Sequence, residues 1–76
     1  MSKVILDVPD ISCEHCQRAI EGALRKERGV SAVRVDVPAR QVYLDYDPAA
    51  ITLDTVRAVL EDEGYTLRSS TPVSGQ

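Results

Sequence analysis

Tryptophan and phenylalanine are absent from this sequence of 76 residues, and histidine and methionine occur once each. A hydrophobic core therefore has to be built from Val, Leu, Ile and Ala, and the length suffices for one small domain. No apolar run approaches the roughly 18 residues that a membrane-spanning helix needs. The N-terminus also lacks the basic region, the long apolar stretch and the cleavage site of a secretory signal. We therefore expect a cytoplasmic protein that does not insert into a membrane.

No large cluster of positive charge stands out either. The formal net charge is −3. Proteins that bind nucleic acids need a basic patch to contact phosphates, so we expect no nucleic-acid partner. The charged residues are mixed in sign, which is typical of a solvated surface. Some of them can also steer docking onto a partner protein.

Apolar residues that alternate with polar ones predict four strands, and apolar residues at the i, i+3, i+4 spacing predict two helices. The order is strand, helix, strand, strand, helix, strand. Because every strand alternates, we expect a four-stranded antiparallel sheet with two helices on one face and solvent on the other. This is the α+β, ferredoxin-like βαββαβ fold. The positions expected to face the core are Val4, Leu6, Val8, Cys16, Ala19, Ile20, Ala23, Leu24, Val33, Val35, Val37, Val42, Leu44, Tyr46, Leu53, Val56, Val59 and Leu60.

Glycine and threonine residues predict where the helices begin and end. The first helix is expected to run to about residues 26–28 and to stop at Gly29 in the left-handed cap position. Thr52 is expected to cap the start of the second helix, and Gly64 is expected to end it.

The C-terminal part of the chain is polar. We expect a short fourth strand at residues 65–68, so that the domain spans residues 1–68. Residues 69–76 are rich in Ser, Thr, Pro and Gly, and we expect them to form a flexible tail.

Both cysteines and the single histidine lie in one five-residue stretch, Ser12-Cys13-Glu14-His15-Cys16. The spacing predicts that Cys13 lies in a loop and Cys16 in the first helical turn, where the helix N-terminus favours thiolates. Two thiolates select soft ions such as Cu(I) or Zn(II). A structural zinc site needs four ligands, and Cys and His supply at most three here. Two-coordinate Cu(I) fits the ligand count better, and an open site suits a carrier.

A Cys-x-x-Cys pair beside a βαβ pattern also suggests thiol–disulfide exchange. This redox alternative is weakened because Glu14 and His15, rather than Gly-Pro, separate the cysteines, and because the chain is short for a thioredoxin-type sheet. His15 is either a solvent-facing residue or an auxiliary group near the metal. We expect His15→Ala to leave Cu(I) binding intact while changing its affinity, its pH dependence or dimerisation.

Three segments together resemble the heavy-metal-associated domains, and within them the bacterial copper chaperones. They are residues 8–16 with the amphipathic helix that follows, residues 29–33, and Glu63-Gly64-Tyr65. The resemblance extends to about Leu67. It implies that Cys13 and Cys16 bind Cu(I), and that an acceptor thiolate then takes the ion. It also implies that Tyr65 lies near the metal.

The same resemblance implies a partner, the metal-binding domain of a copper-transporting P-type ATPase, and a carrier rather than an enzyme. It leaves two questions open. The chain is either a free-standing chaperone or an excised N-terminal domain of such an ATPase, and it is either a monomer or a metal-bridged homodimer.

The loop before the first cysteine departs from the usual Gly-Met-Thr/Ser-Cys of that family. Asp10 stands in place of Gly and is expected to stiffen the loop or to add negative charge. Ile11 is expected to take over the packing role of Met. Members that handle zinc or cadmium tend to have Asp directly before the first cysteine, whereas this chain has Ser12, which favours a monovalent metal.

Overall fold

The computed structural model describes residues 2–73. Its single sheet carries four strands in the order β2-β3-β1-β4, and the adjacent strands are antiparallel. This is the predicted ferredoxin-like arrangement, which is therefore confirmed. The elements are β1 (Ser2–Asp7), α1 (Glu14–Arg25), β2 (Val30–Asp36), β3 (Gln41–Tyr46), α2 (Leu53–Asp62) and β4 (Ser69–Pro72).

The core lies between one face of the sheet and the two helices. Alternate residues along the strands point into this core, because successive side chains of a strand lie on opposite faces of the sheet. From α1 the core receives Ile20 and Leu24, and from α2 it receives Val56 and Leu60; all four are fully buried. Removing each such side chain from water contributes about 1.5–3 kcal/mol. The buried residues of the strands and loops are Val4, Leu6, Val8, Ile11, Val33, Val35, Val42, Leu44, Tyr46 and Ile51.

The fourth strand lies at Ser69–Pro72, and the prediction of a strand at residues 65–68 was wrong. Residues 65–68 instead cross from α2 to the end of β1, where the Arg68 N–H donates to the Asp7 carbonyl at 2.8 Å. All four residues of β4 are exposed. An exposed edge strand needs no apolar alternation and tolerates Pro, so it left no hydrophobic signal.

The predicted tail therefore begins with a strand, which pairs with β1 from Asp7 opposite Ser69 to Val4 opposite Pro72. Val73 continues the pairing, since its N–H donates to the Lys3 carbonyl at 3.0 Å. The rest of the predicted tail, residues 74–76, lies outside the described residues.

The first helix ends earlier than predicted, at Arg25 with Lys26 as its cap, and Gly29 is not its cap residue. Gly29 lies three residues further on, with φ of 99°, just before β2. Its carbonyl accepts the Asp47 N–H at 2.7 Å. A Cβ at this position would lie 2.8 Å from that of Ala50, so glycine is required here by close packing as well as by the backbone angle.

Three connections meet at one end of the sheet. The β1–α1 loop contacts the β2–β3 turn through the Val8 N–H, which donates to the Arg40 carbonyl at 3.0 Å. It contacts the α2–β4 segment through Asp10, whose carboxylate accepts the Thr66 N–H at 3.0 Å. Arg40 has a left-handed φ of 56° in a turn that offers no glycine. Within residues 2–73, no helix is long and apolar enough to cross a membrane.

Candidate metal centre

Cys13 is the residue that caps the N-terminus of α1. Its backbone is extended, with φ of −160° and ψ of 174°, and its carbonyl accepts the Gln17 N–H at 3.2 Å. Its side chain forms no capping hydrogen bond with the helix and is exposed. The thiol therefore projects from the loop, as the sequence predicts, and is open to solvent.

Cys16 lies in the first turn of the same helix and is partly buried against the core. Its Sγ atom lies 3.9 Å from Sγ of Cys13, and both thiols are free. A disulfide bond would need a separation of about 2 Å. Metal–sulphur bonds of about 2.3 Å, as in zinc sites, allow two sulphurs at this distance to bind one ion. The helix N-terminus adds partial positive charge that favours thiolate.

Tyr65 reaches the cysteines because of the way α2 ends. Gly64 has φ of 91° and donates its N–H to the Glu61 carbonyl at 3.0 Å, while the Tyr65 N–H donates to the Leu60 carbonyl at 2.9 Å. These two bonds form a Schellman motif, so the prediction that Gly64 ends the helix is confirmed. The Tyr65 ring is half-buried and packs against the core beside Cys16.

The Tyr65 hydroxyl changes the acidity of Cys16. The pKa of Cys16 is lowered to about 6, chiefly by the hydrogen bond from the Tyr65 side chain and then by hydrogen bonds from Ser12 and Cys13. The same contact raises the pKa of Tyr65 to about 12, because its proton is held by the thiolate. The thiolate form of Cys16 is therefore favoured at neutral pH, and this is the form that binds metals and attacks electrophiles.

His15 is exposed in the first turn of α1. Among the described residues, no group of three or more His, Cys, Asp or Glu side chains could together hold a metal ion. The structure thus brings Cys13 and Cys16 together and does not add His15 to them as a third ligand within one chain.

Sequence reasoning missed two contacts at this site. Ser12 was expected only to favour a monovalent metal, but its Oγ lies 3.8 Å from Sγ of Cys16. Asp10 was expected to stiffen or charge the loop, and the structure shows a contact with Thr66, 56 residues further along the chain. A contact at that separation has no local sequence signal. Ile11 is fully buried, in agreement with the packing role expected for it.

The family model of the heavy-metal-associated domain matches residues 5–66, a range that contains both cysteines and Tyr65. The chain belongs to this family. A curated relative, the copper chaperone CopZ of Staphylococcus haemolyticus, is 35% identical over 68 residues, which cover 90% of this chain and 100% of the relative.

Solved structures show the same fold. A CopZ metallochaperone is 35% identical, with a TM-score of 0.84, over 87% of this chain and 98% of its own. The N-terminal domain of a potential copper-translocating P-type ATPase from Bacillus subtilis, solved in the Cu(I)-loaded state, has a TM-score of 0.83 over 99% of this chain and 96% of its own. At 22% identity this second likeness establishes the fold alone.

Proposed function

We propose that this chain is a cytoplasmic copper chaperone, a carrier and not an enzyme. In this proposal Cys13 and Cys16 bind Cu(I) and pass it to the metal-binding domain of a copper-transporting P-type ATPase. The kinship with CopZ chaperones supports the choice of copper. The reducing conditions of the cytoplasm would keep both thiols free.

The observation that carries the proposal is the open pair of sulphurs at the end of the sheet. The two Sγ atoms are 3.9 Å apart, and Cys13 is exposed. No third Cys, His, Asp or Glu completes a metal-binding group with them in the part of the chain that the structure describes. Thiolates favour soft monovalent copper, and a site with two ligands leaves the ion accessible to another thiolate.

Transfer in this proposal is an exchange of ligands without a change of oxidation state. An incoming acceptor thiolate forms a bond to Cu(I), which is then held by three sulphurs. One bond to a donor sulphur breaks, and that sulphur leaves as a thiolate or takes up a proton from water. Cys13 is the more exposed of the two cysteines, so we expect its bond to open first, while Cys16 stays beside Tyr65.

The function is tested by following copper from this chain to an acceptor. The reduced protein, loaded anaerobically with one equivalent of Cu(I), is mixed with the metal-free metal-binding domain of a copper-transporting ATPase. The two are then separated, and the copper in each is measured. The proposal predicts that copper distributes between them rapidly and reversibly. Copper that stays on the loaded chain would indicate storage instead.

Two variants serve as controls for this transfer. Cys13→Ser removes the ligand expected to open first and should abolish loading and transfer together. Ser31→Ala removes an exposed hydroxyl that contacts the Asp45 carbonyl at 3.2 Å and should leave both unchanged.

Thiol–disulfide exchange is a second candidate, because the lowered pKa of Cys16 also makes it a reactive nucleophile. The two functions are separated by measuring Cu(I) binding and the dithiol reduction potential on the same preparation. An oxidising potential, together with failure to bind about one Cu(I) per monomer or dimer, would favour the redox function.

An excised ATPase domain would share this fold, as the structural likeness to the Bacillus subtilis domain shows. The curated CopZ relatives favour the chaperone. Gene context separates the two, since a chaperone is encoded as its own short chain.

A further inference from the structure

We propose that Asp10 is a positioning residue for the thiolate pair, because its carboxylate holds the segment after α2 where Tyr65 stays beside Cys16. The observation behind it is the contact between Asp10 Oδ2 and the Thr66 N–H, at 3.0 Å. The proposal deepens the proposed function and rests on it for the effect on copper. The contact itself is a property of the metal-free chain.

Asp10 is held in place by its neighbours. Val8 and Ile11, on either side of it, are both fully buried, and the Ile11 N–H donates to the Val8 carbonyl at 3.1 Å. Pro9 precedes it and restricts its own φ to a narrow range. The carboxylate of Asp10 therefore extends from a turn that is anchored in the core at two points.

The segment that Asp10 contacts has little other support from regular structure. It lies between α2 and β4 and belongs to neither element. The Tyr65 N–H donates to the Leu60 carbonyl, and the Arg68 N–H donates to the Asp7 carbonyl. Both of these bonds use backbone acceptors, which almost any sequence supplies. The bond at Thr66 instead depends on the side chain at position 10. The other polar contact of the segment that uses side chains is longer and exposed, 3.8 Å between Arg68 Nε and Asp7 Oδ2.

Thr66 directly follows Tyr65, so holding its N–H limits how far the tyrosine can move from Cys16. A bond from an N–H to an ionised carboxylate is stronger than one between neutral groups. The contact joins the loop that carries Cys13 to the segment that carries Tyr65. Without it, the backbone bonds of Tyr65 and Arg68 and the packing of Tyr65 and Leu67 against the core still hold the segment, but the bond at Thr66 itself is lost.

The test compares two substitutions at one position. Asp10→Ala removes the acceptor and the charge together. Asp10→Asn removes the charge but keeps a side-chain oxygen that can accept the Thr66 N–H. Asp10 is exposed, so neither change opens a cavity, and thermal unfolding checks that each variant is folded. The metal-free, reduced proteins are then examined by NMR.

Asp10→Ala is expected to speed amide hydrogen exchange at Thr66 by about three- to tenfold, the equivalent of one hydrogen bond near solvent. It should also weaken the nuclear Overhauser contact between the Tyr65 ring and the Cys16 β-protons. Asp10→Asn should keep both closer to the parent protein than Asp10→Ala does, because its side-chain oxygen still accepts the Thr66 N–H in a weaker, neutral bond. In the copper transfer assay, only the alanine variant should change the rate.

Two results would overturn the positioning role. In one, Asp10→Ala leaves both the Thr66 exchange rate and the contact between Tyr65 and Cys16 unchanged. In the other, Asp10→Asn behaves like Asp10→Ala, which would mean that the negative charge acts and the hydrogen bond does not. If the NMR changes appear but the parent protein binds no Cu(I), the positioning role stands and the proposed function fails.

Discussion

Tyr65 and Cys16 both pack at the edge of the core, and their mutual interaction shifts the pKa values of the two side chains in opposite directions. The pKa of the thiol falls to about 6, and that of the phenol rises to about 12. The partners are 49 positions apart in sequence, and the C-terminus of α2 brings them together. The fold thus favours the thiolate form of Cys16.

Replacing Tyr65 by Phe removes the hydroxyl and keeps the ring. We expect the pKa of Cys16 to rise from about 6 toward the ordinary thiol value, because the largest stabilising contact of its thiolate is lost. The measurement is the carbon-13 chemical shift of each cysteine Cβ as a function of pH. Tyr43→Phe, on the outer face of the sheet, is the matched control and should leave the titration of Cys16 unchanged. An unaltered Cys16 titration in Tyr65→Phe would contradict this account.

The stability of the reduced, metal-free protein should depend on pH through Cys16. Between about pH 6 and the pKa of an ordinary thiol, the unfolded chain holds a proton on Cys16 that the folded chain has lost. The free energy of unfolding should therefore rise with pH across this window, and this contribution should disappear as the pH falls through 6. Above about pH 10 the sign reverses, because Tyr65 ionises more easily in the unfolded chain.

This pH dependence is measured by anaerobic urea denaturation of the parent protein and of Cys16→Ser. Tyr65, the other group that this interaction affects, ionises only at higher pH, so the difference between the two curves below about pH 9 isolates the thiol of Cys16. A difference that does not change between about pH 6 and 9 would contradict the lowered pKa of Cys16.

Alanine substitutions at three glycines distinguish the energetic cost of close packing from that of backbone strain. Gly29→Ala combines a positive φ with a Cβ placed 2.8 Å from that of Ala50, and should lower the free energy of unfolding by about 2–4 kcal/mol. Gly64→Ala adds strain in open space and should cost about 1–2 kcal/mol. Gly22→Ala, inside α1 and free of neighbours, should stabilise the protein by about 0.5–1 kcal/mol. Equal effects of Gly29→Ala and Gly64→Ala in urea denaturation would show that Ala50 moves aside.

The sequence was sufficient for the core and for most of the fold, because alternation and helical spacing are local patterns. Val4, Leu6 and Val8 are buried as the alternation predicts, and Thr52 caps α2 by accepting the Thr55 N–H at 3.3 Å. The fourth strand was misplaced because an exposed edge strand carries no apolar pattern.

The pairing of Cys13 with Cys16 followed from spacing on one helical turn. The family resemblance implied that Tyr65 lies near the metal, but neither its effect on the pKa of Cys16 nor the contact between Asp10 and Thr66 could follow from the sequence. Each joins residues that only the tertiary structure brings together.

His15 should matter for contacts between chains rather than for binding within one chain. We expect His15→Ala to change the Cu(I) affinity of the monomer by less than about threefold, whereas losing a group that supports a ligand costs about 10–100-fold. Copper-induced dimerisation, followed by sizing across pH, is where an effect should appear. His15→Gln controls for the loss of a polar side chain. Unchanged sizing profiles in His15→Ala would leave the residue without a role.

The central claim, that Cys13 and Cys16 together hold Cu(I), is tested most directly by anaerobic titration of the reduced protein against a Cu(I) chelator. The account predicts about one Cu(I) per monomer, or per metal-bridged dimer. It also predicts that Cys13→Ser and Cys16→Ser each lose at least about 100-fold in affinity, because a ligand itself is removed. If either single variant competes with the chelator as well as the parent protein does, the two cysteines do not form the site.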